Sequence, residues 1–130
     1  MSSVYARRSG LKGAYPLAAA AVLAACSPVF ATAGLAVPFA SAGGTSKFAG
    51  IATFNADNSA GADGALKVEV EKQQIALLNS GDIDDSHVGT TVYFSTENSV
   101  SIDAATASRP TAGVVSELDG DIVWVQPAVV

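Results

Sequence analysis

The sequence is poor in residues that do chemistry. It holds one cysteine, Cys26, and one histidine, His87. A single cysteine excludes an internal disulfide framework. No pair of ligands stands at the spacing of a structural zinc site. Charged residues are only 15% of the chain and glycines number 12, so long solvated helices are not expected. No apolar run reaches the roughly 20 residues of a membrane-spanning helix. Bases are outnumbered, 7 against 12 acids, for a formal net charge of -5. That argues against a nucleic-acid surface, which needs basic excess to displace counterions. The most uneven absence is local. Residues 1–56 contain no Asp or Glu but carry Arg7, Arg8, Lys12 and Lys47, and every acid lies from Asp57 onward. The two parts are expected to meet different environments.

What is present is a series of short β-type runs. Residues 66–72 alternate strictly, with Leu66, Val68 and Val70 on one side and Lys67, Glu69 and Glu71 on the other. That is the period of a half-buried strand. Residues 48–54 form an apolar run suited to a buried strand, and residues 75–78, 90–95, 99–102, 112–118 and 121–126 read as further strands. Asp119-Gly120 between two apolar runs is a hairpin signal, because glycine accepts the positive φ of a tight turn. Residues 55–64 and 79–89 read as polar connections, with one helical turn at 84–87. Residues 22–25, 29–32 and 35–39 are expected to be short strands, the last two joined at Ala33-Gly34. Strands at this spacing predict an all-β fold, a small antiparallel β-barrel or sandwich. Serines, glycines and Pro16 interrupt residues 1–16, which read as an extended N-terminal arm before a single β domain over 17–130. The final hairpin is apolar on both faces, so Trp124 is expected to be buried.

Candidate chemistry is thin. His87 reads as a loop histidine, and Cys26 as a small buried thiol. The acidic loops beginning at Asp57 and Asp82 place Val68 and Tyr93 where a helix-loop-helix calcium loop needs Glu. No nucleophile elbow, phosphate loop or dinucleotide fingerprint occurs. No enzyme, no cofactor and no metal site is expected. A small-ligand or carbohydrate-binding β module would need a concave aromatic site, and the aromatics read as core.

Two short patterns imitate an export signal. Arg7-Arg8-Ser9-Gly10-Leu11-Lys12 resembles a twin-arginine motif, and Leu23-Ala24-Ala25-Cys26 resembles a lipoprotein cleavage box. The alternative function is therefore an exported lipoprotein, lipidated at Cys26, with a periplasmic β-sandwich domain. Residues 27–46 offer no long polar tether, and 17–39 fit as strands, so an intact, unlipidated N-terminus is expected.

A wider pattern runs from Tyr15 to Val125. It comprises Phe48-Ala-Gly50-Ile-Ala, Asp57-Asn58-Ser-Ala-Gly61-Ala-Asp63-Gly64, the alternating LKVEVEK, and Ser80-Gly81-Asp82. Val88-Gly89-Thr-Thr-Val92-Tyr93, Glu97-Asn98-Ser-Val100, Ala112-Gly113-Val-Val115 and the Asp119-Gly120 hairpin complete it. In this order the elements resemble the capsid decoration, or cement, proteins of tailed bacteriophages. The resemblance implies a β body, usually a homotrimer, seated on the outer surface of the virion capsid. It would clamp the major capsid protein lattice against the pressure of packaged DNA, with no cofactor and no direct contact to nucleic acid or membrane. The family has a small residue, often glycine, where Cys26 stands. With an acid-free arm ahead of an acidic body, the expected capsid-binding residues are Val4, Tyr5, Arg7, Arg8, Lys12 and Tyr15.

Overall fold

The computed structural model describes residues 11–128. Twelve strands account for the regular structure, and helix among the described residues is limited to 3-10 turns at Phe39–Ser41 and Asp85–His87. The fold is all-β, and two β units divide the chain at its middle.

The first unit is a five-stranded antiparallel sheet in the order β1-β7-β5-β3-β4. Its strands are β1 (Lys12–Pro16), β3 (Pro28–Thr32), β4 (Leu35–Val37), β5 (Lys47–Ala52) and β7 (Lys67–Glu71). The sheet curls until its edges meet. Leu17 bridges Ala36, and the Ala18 N–H donates to the Ala36 carbonyl. A small ribbon, β2 (Val22–Leu23) with β6 (Ala56–Asp57), covers one side. The enclosed core is built of small residues, with Ala36, Ala49 and Ala52 beside Leu17, Leu23, Val29, Val68 and Val70. Small side chains allow so short a sheet to curl tightly around its own centre.

The second unit is a closed five-stranded barrel in the order β10-β8-β12-β11-β9. It uses β8 (Ile75–Asn79), β9 (Thr91–Thr96), β10 (Ser99–Ser101), β11 (Thr111–Asp119) and β12 (Ile122–Pro127). Closure leaves no open strand edge. Val92, Phe94, Val100, Ala112, Val115, Val123 and Val125 fill it, each at most 1% exposed.

The two units share apolar contacts. Phe30, Val37 and Phe48 alternate with the small-residue core positions on their strands, so they face out of the first sheet. They join the barrel interior in one continuous cluster. Phe94 meets Phe48 and Phe30 nearly edge-on, at centroid separations of 4.9 and 5.2 Å. This explains why strands β3 to β5 are apolar on both faces. A second junction lies where Gly44 abuts the loop after β10. A Cβ on Gly44 would sit 1.5 Å from the Ala107 carbonyl oxygen, so only glycine fits.

Three sequence expectations change. Residues 12–16 are not irregular: β1 pairs with β7 over five positions, from Lys12↔Glu71 to Pro16↔Lys67. Trp124 is not buried but 38% exposed, because Val123 and Val125 point into the barrel and the intervening residue must point out. Cys26 is exposed as well, at a backbone φ of 66°.

Candidate docking surfaces

The expected arm residues divide. Val4, Tyr5, Arg7 and Arg8 lie outside the described residues. Lys12 and Tyr15 both sit on β1, on opposite faces. Lys12 is exposed and stands across from Glu71, so its charge has an acid as cross-strand neighbour. Tyr15 turns toward the small-residue core and is half-buried. Its hydroxyl accepts a 2.5 Å hydrogen bond from Lys72, whose ammonium lies 5.2 Å from the ring centroid. Tyr15 is thereby held within the chain's own fold.

The loop singled out as 55–64 is a structural staple. Asn58 is 2% exposed. Its side-chain amide donates to the Ala18 and Ala62 carbonyls, and its backbone N–H donates to Ala21. Asp63 accepts from the Ala19 N–H, and Asp57 accepts from the Ser59 N–H. Ser59, through its hydroxyl and then its N–H, holds the Asp57 carboxyl below the ordinary carboxylate range. These acids close turns. At the 3-10 turn Asp85–His87, Asp84 accepts from the Ser86 N–H, and its own N–H donates to His87 Nδ1. The Ser86 hydroxyl, more than its N–H, lowers the Asp84 carboxyl below the usual range. Among the described residues, no three His, Cys, Asp or Glu side chains converge as a metal site.

One organised surface was not anticipated from sequence. It is the outer face of the barrel over β8, β12 and β11. The register sets it out in rows. Asp119, Ile122 and Leu78 form one row; Glu117, Trp124 and Ala76 form the next; Val114 and Gln126 begin a third, and Gln74 extends it through a 3.0 Å hydrogen bond to Gln126. Residues directly opposite in antiparallel pairs share a face, so the centre of this surface is an apolar stripe of Leu78, Ile122, Trp124 and Ala76. Leu78 is 45% exposed and Val114 36%. A cleft of about 260 Å³ adjoins the stripe at Ala76, bounded by Cys26, Pro28, Ile51 and Glu97. It is smaller than the ~300–1,000 Å³ of typical small-molecule sites, and suits one apolar side chain. The signal for this face was present in the alternation of residues 122–126. It was masked because the inward positions are equally apolar.

Comparison with family models, with curated proteins and with solved structures finds no match to this chain.

Proposed function

We propose that this protein is a structural capsid decoration protein. It binds the outer surface of a tailed-phage head, as a homotrimer, and stabilises the major capsid lattice against internal pressure. The observation that carries the reading is the placement of residues 17–37. The decoration-protein pattern expects β structure ahead of the Gly50-Ile51 strand. Here that segment supplies Leu17, Leu23, Val29, Phe30, Ala36 and Val37 to the two cores. The same placement weighs against the lipoprotein alternative. Cleavage before Cys26 would remove β1 and β2, and with them Leu17, Ala21 and Leu23, from a packed interior.

Two further features support a protein that works through surfaces. The body is stapled at the Asn58 loop and closed at the barrel, which favours a rigid block over a hinged enzyme. Its charges are also segregated. Residues 73–130 carry eight acids against the single base Arg109, whereas residues 1–72 carry six bases against four acids. Lattice attachment repeats one contact many times, so modest affinity per copy suffices when copies are linked in an oligomer.

The test has two arms. Purified protein is added to tailed-phage heads stripped of their decoration protein, and occupancy is read by electron microscopy together with resistance of the heads to heat or chelator. Saturable binding and increased resistance are expected; heads left bare and unprotected overturn the reading. Intact mass of the native protein separates the alternative, since a species beginning at Cys26 and bearing acyl chains would establish the lipoprotein.

A further inference from the structure

The outer barrel face has properties that restrict what can cover it. Its centre is apolar: Leu78, Ile122, Trp124 and Ala76 lie contiguously across β8 and β12. Both flanks are acidic. Glu117 stands directly across from Trp124, and Asp119 directly across from Ile122, on the β11 side. Glu97 lines the cleft beside Ala76 on the other side. Glu97, Glu117 and Asp119 are all exposed. Strands β8, β11 and β12 carry no lysine or arginine. The barrel is closed, so this face offers no free backbone edge for β-addition. Recognition there must be by side chains.

We propose that this face docks a basic protein segment. The segment lays alternating apolar side chains along Leu78, Ile122 and Trp124 and sets Lys or Arg against Glu97 on one flank and Glu117 and Asp119 on the other. One larger apolar side chain enters the cleft between Ala76, Ile51 and Pro28. Desolvating the stripe supplies affinity, and the flanking carboxylates supply selection for charge and orientation. An aromatic at the centre of an apolar patch with a charged rim is the arrangement that concentrates binding energy. The inference rests on the reading of the chain as a docking protein, and gives that docking a face and a partner charge.

Trp124 is the only tryptophan, so its fluorescence reports on this face alone. The probe is a synthetic peptide alternating lysine and leucine, titrated at low salt into the full chain. Its controls are the glutamate-leucine and lysine-serine counterparts. Saturable change in Trp124 emission is expected with the first and absent with both controls. Glu117→Gln with Asp119→Asn should weaken binding about tenfold, the product of two partly exposed charge contacts. Asp57→Asn with Asp85→Asn removes the same charge from other surfaces and should change it by less than about twofold. Leu78→Ser should weaken it at constant charge. Equal weakening by the two charge pairs, or binding that leaves Trp124 emission unchanged, overturns the proposal. So does a fall in oligomeric state with Leu78→Ser, seen by sedimentation, because a second copy would then be the occupant. Decoration of stripped heads separates this inference from the functional reading. If heads take up wild type and a Leu78→Ser, Trp124→Ser double variant equally, this face is not the one that docks, while decoration itself stands.

Discussion

Replacing Phe94 with alanine tests the claim that the two β units form one cooperative body. Phe94 is fully buried and contacts rings from the other unit, at 4.9 Å to Phe48, 5.2 Å to Phe30 and 6.5 Å to Phe39. Truncating a buried phenylalanine costs about 3–5 kcal/mol through lost transfer energy and the residual cavity. The near edge-on pairs with Phe48 and Phe30 are each worth roughly 0.5–1.5 kcal/mol beyond area, which places Phe94→Ala at the upper end of that range. Against a total stability of roughly 5–15 kcal/mol, the loss is a large fraction. The melting temperature should fall by about 15 °C for a chain of this size. Thermal and urea unfolding would be followed by far-UV circular dichroism, which sees both units, and by Trp124 fluorescence, which sees the barrel. The two transitions should coincide before and after the substitution, the mark of a single cooperative unit. Phe54→Ala, at a side chain 54% exposed, is the control and should change stability by less than about 1 kcal/mol. A Phe94→Ala loss below about 1.5 kcal/mol, or separated transitions in wild type, would refute the shared-core argument.

Other expectations follow from single positions. Trp124→Ala should cost only about 1 kcal/mol in urea unfolding, since its ring faces outward; a loss of several kcal/mol would place it in the core. Gly50 has φ 134°, and a Cβ there would lie 2.6 Å from the Glu71 carbonyl oxygen, so Gly50→Ala should destabilise by more than about 2 kcal/mol in the same assay. Ala105, Thr106 and Ala107 are three successive non-glycine residues at φ 51°, 58° and 63°. A left-handed β-branched residue is strained by about 1–2 kcal/mol, so Thr106→Gly should raise the melting temperature; a fall would show that the Thr106 side chain makes compensating contacts. Asp84 should titrate below ordinary carboxylates by NMR, and Ser86→Ala should return it toward them. Because its folded value is depressed, its contribution to stability is present above the ordinary carboxylate range and disappears as the pH falls through the folded value.

Much of the fold was legible because turn chemistry and period agreed. The Asp119-Gly120 and Ala33-Gly34 turns fall between paired strands, and Val68 and Val70 point inward as the alternation predicts, whereas Leu66, ahead of the strand, is exposed. Strand β1 was not legible: KGAYP contains glycine and proline and has no period, and only pairing with β7 makes it extended. The ribbon β2 with β6 is two residues deep, too short to leave a pattern. The Trp124 face was missed for another reason. Binary pattern distinguishes apolar from polar positions, and β12 is apolar on both sides at residues 122–125. Which side faces the core depends on barrel closure, a property no window of sequence contains. Arm residues Lys12 and Tyr15 show the converse: composition gave their charge and ring, but the pairing partner decides what each is free to touch.

The passage between the two units has a consequence for engineering. Among the described residues the chain crosses once, near residues 72–74, and both described ends lie beside that crossing. The Leu11 carbonyl accepts from the Lys72 N–H, and the Gln126 side chain accepts from Gln74. Entry, waist and exit therefore share one corner of the molecule. A circular permutant that joins the ends through a short linker and opens at the exposed Asp119-Gly120 tip would keep every strand pair except that hairpin's connection. Cargo joined directly at residue 11 and at residue 128 would leave from the same corner, so the two attachment points would lie close together on each copy.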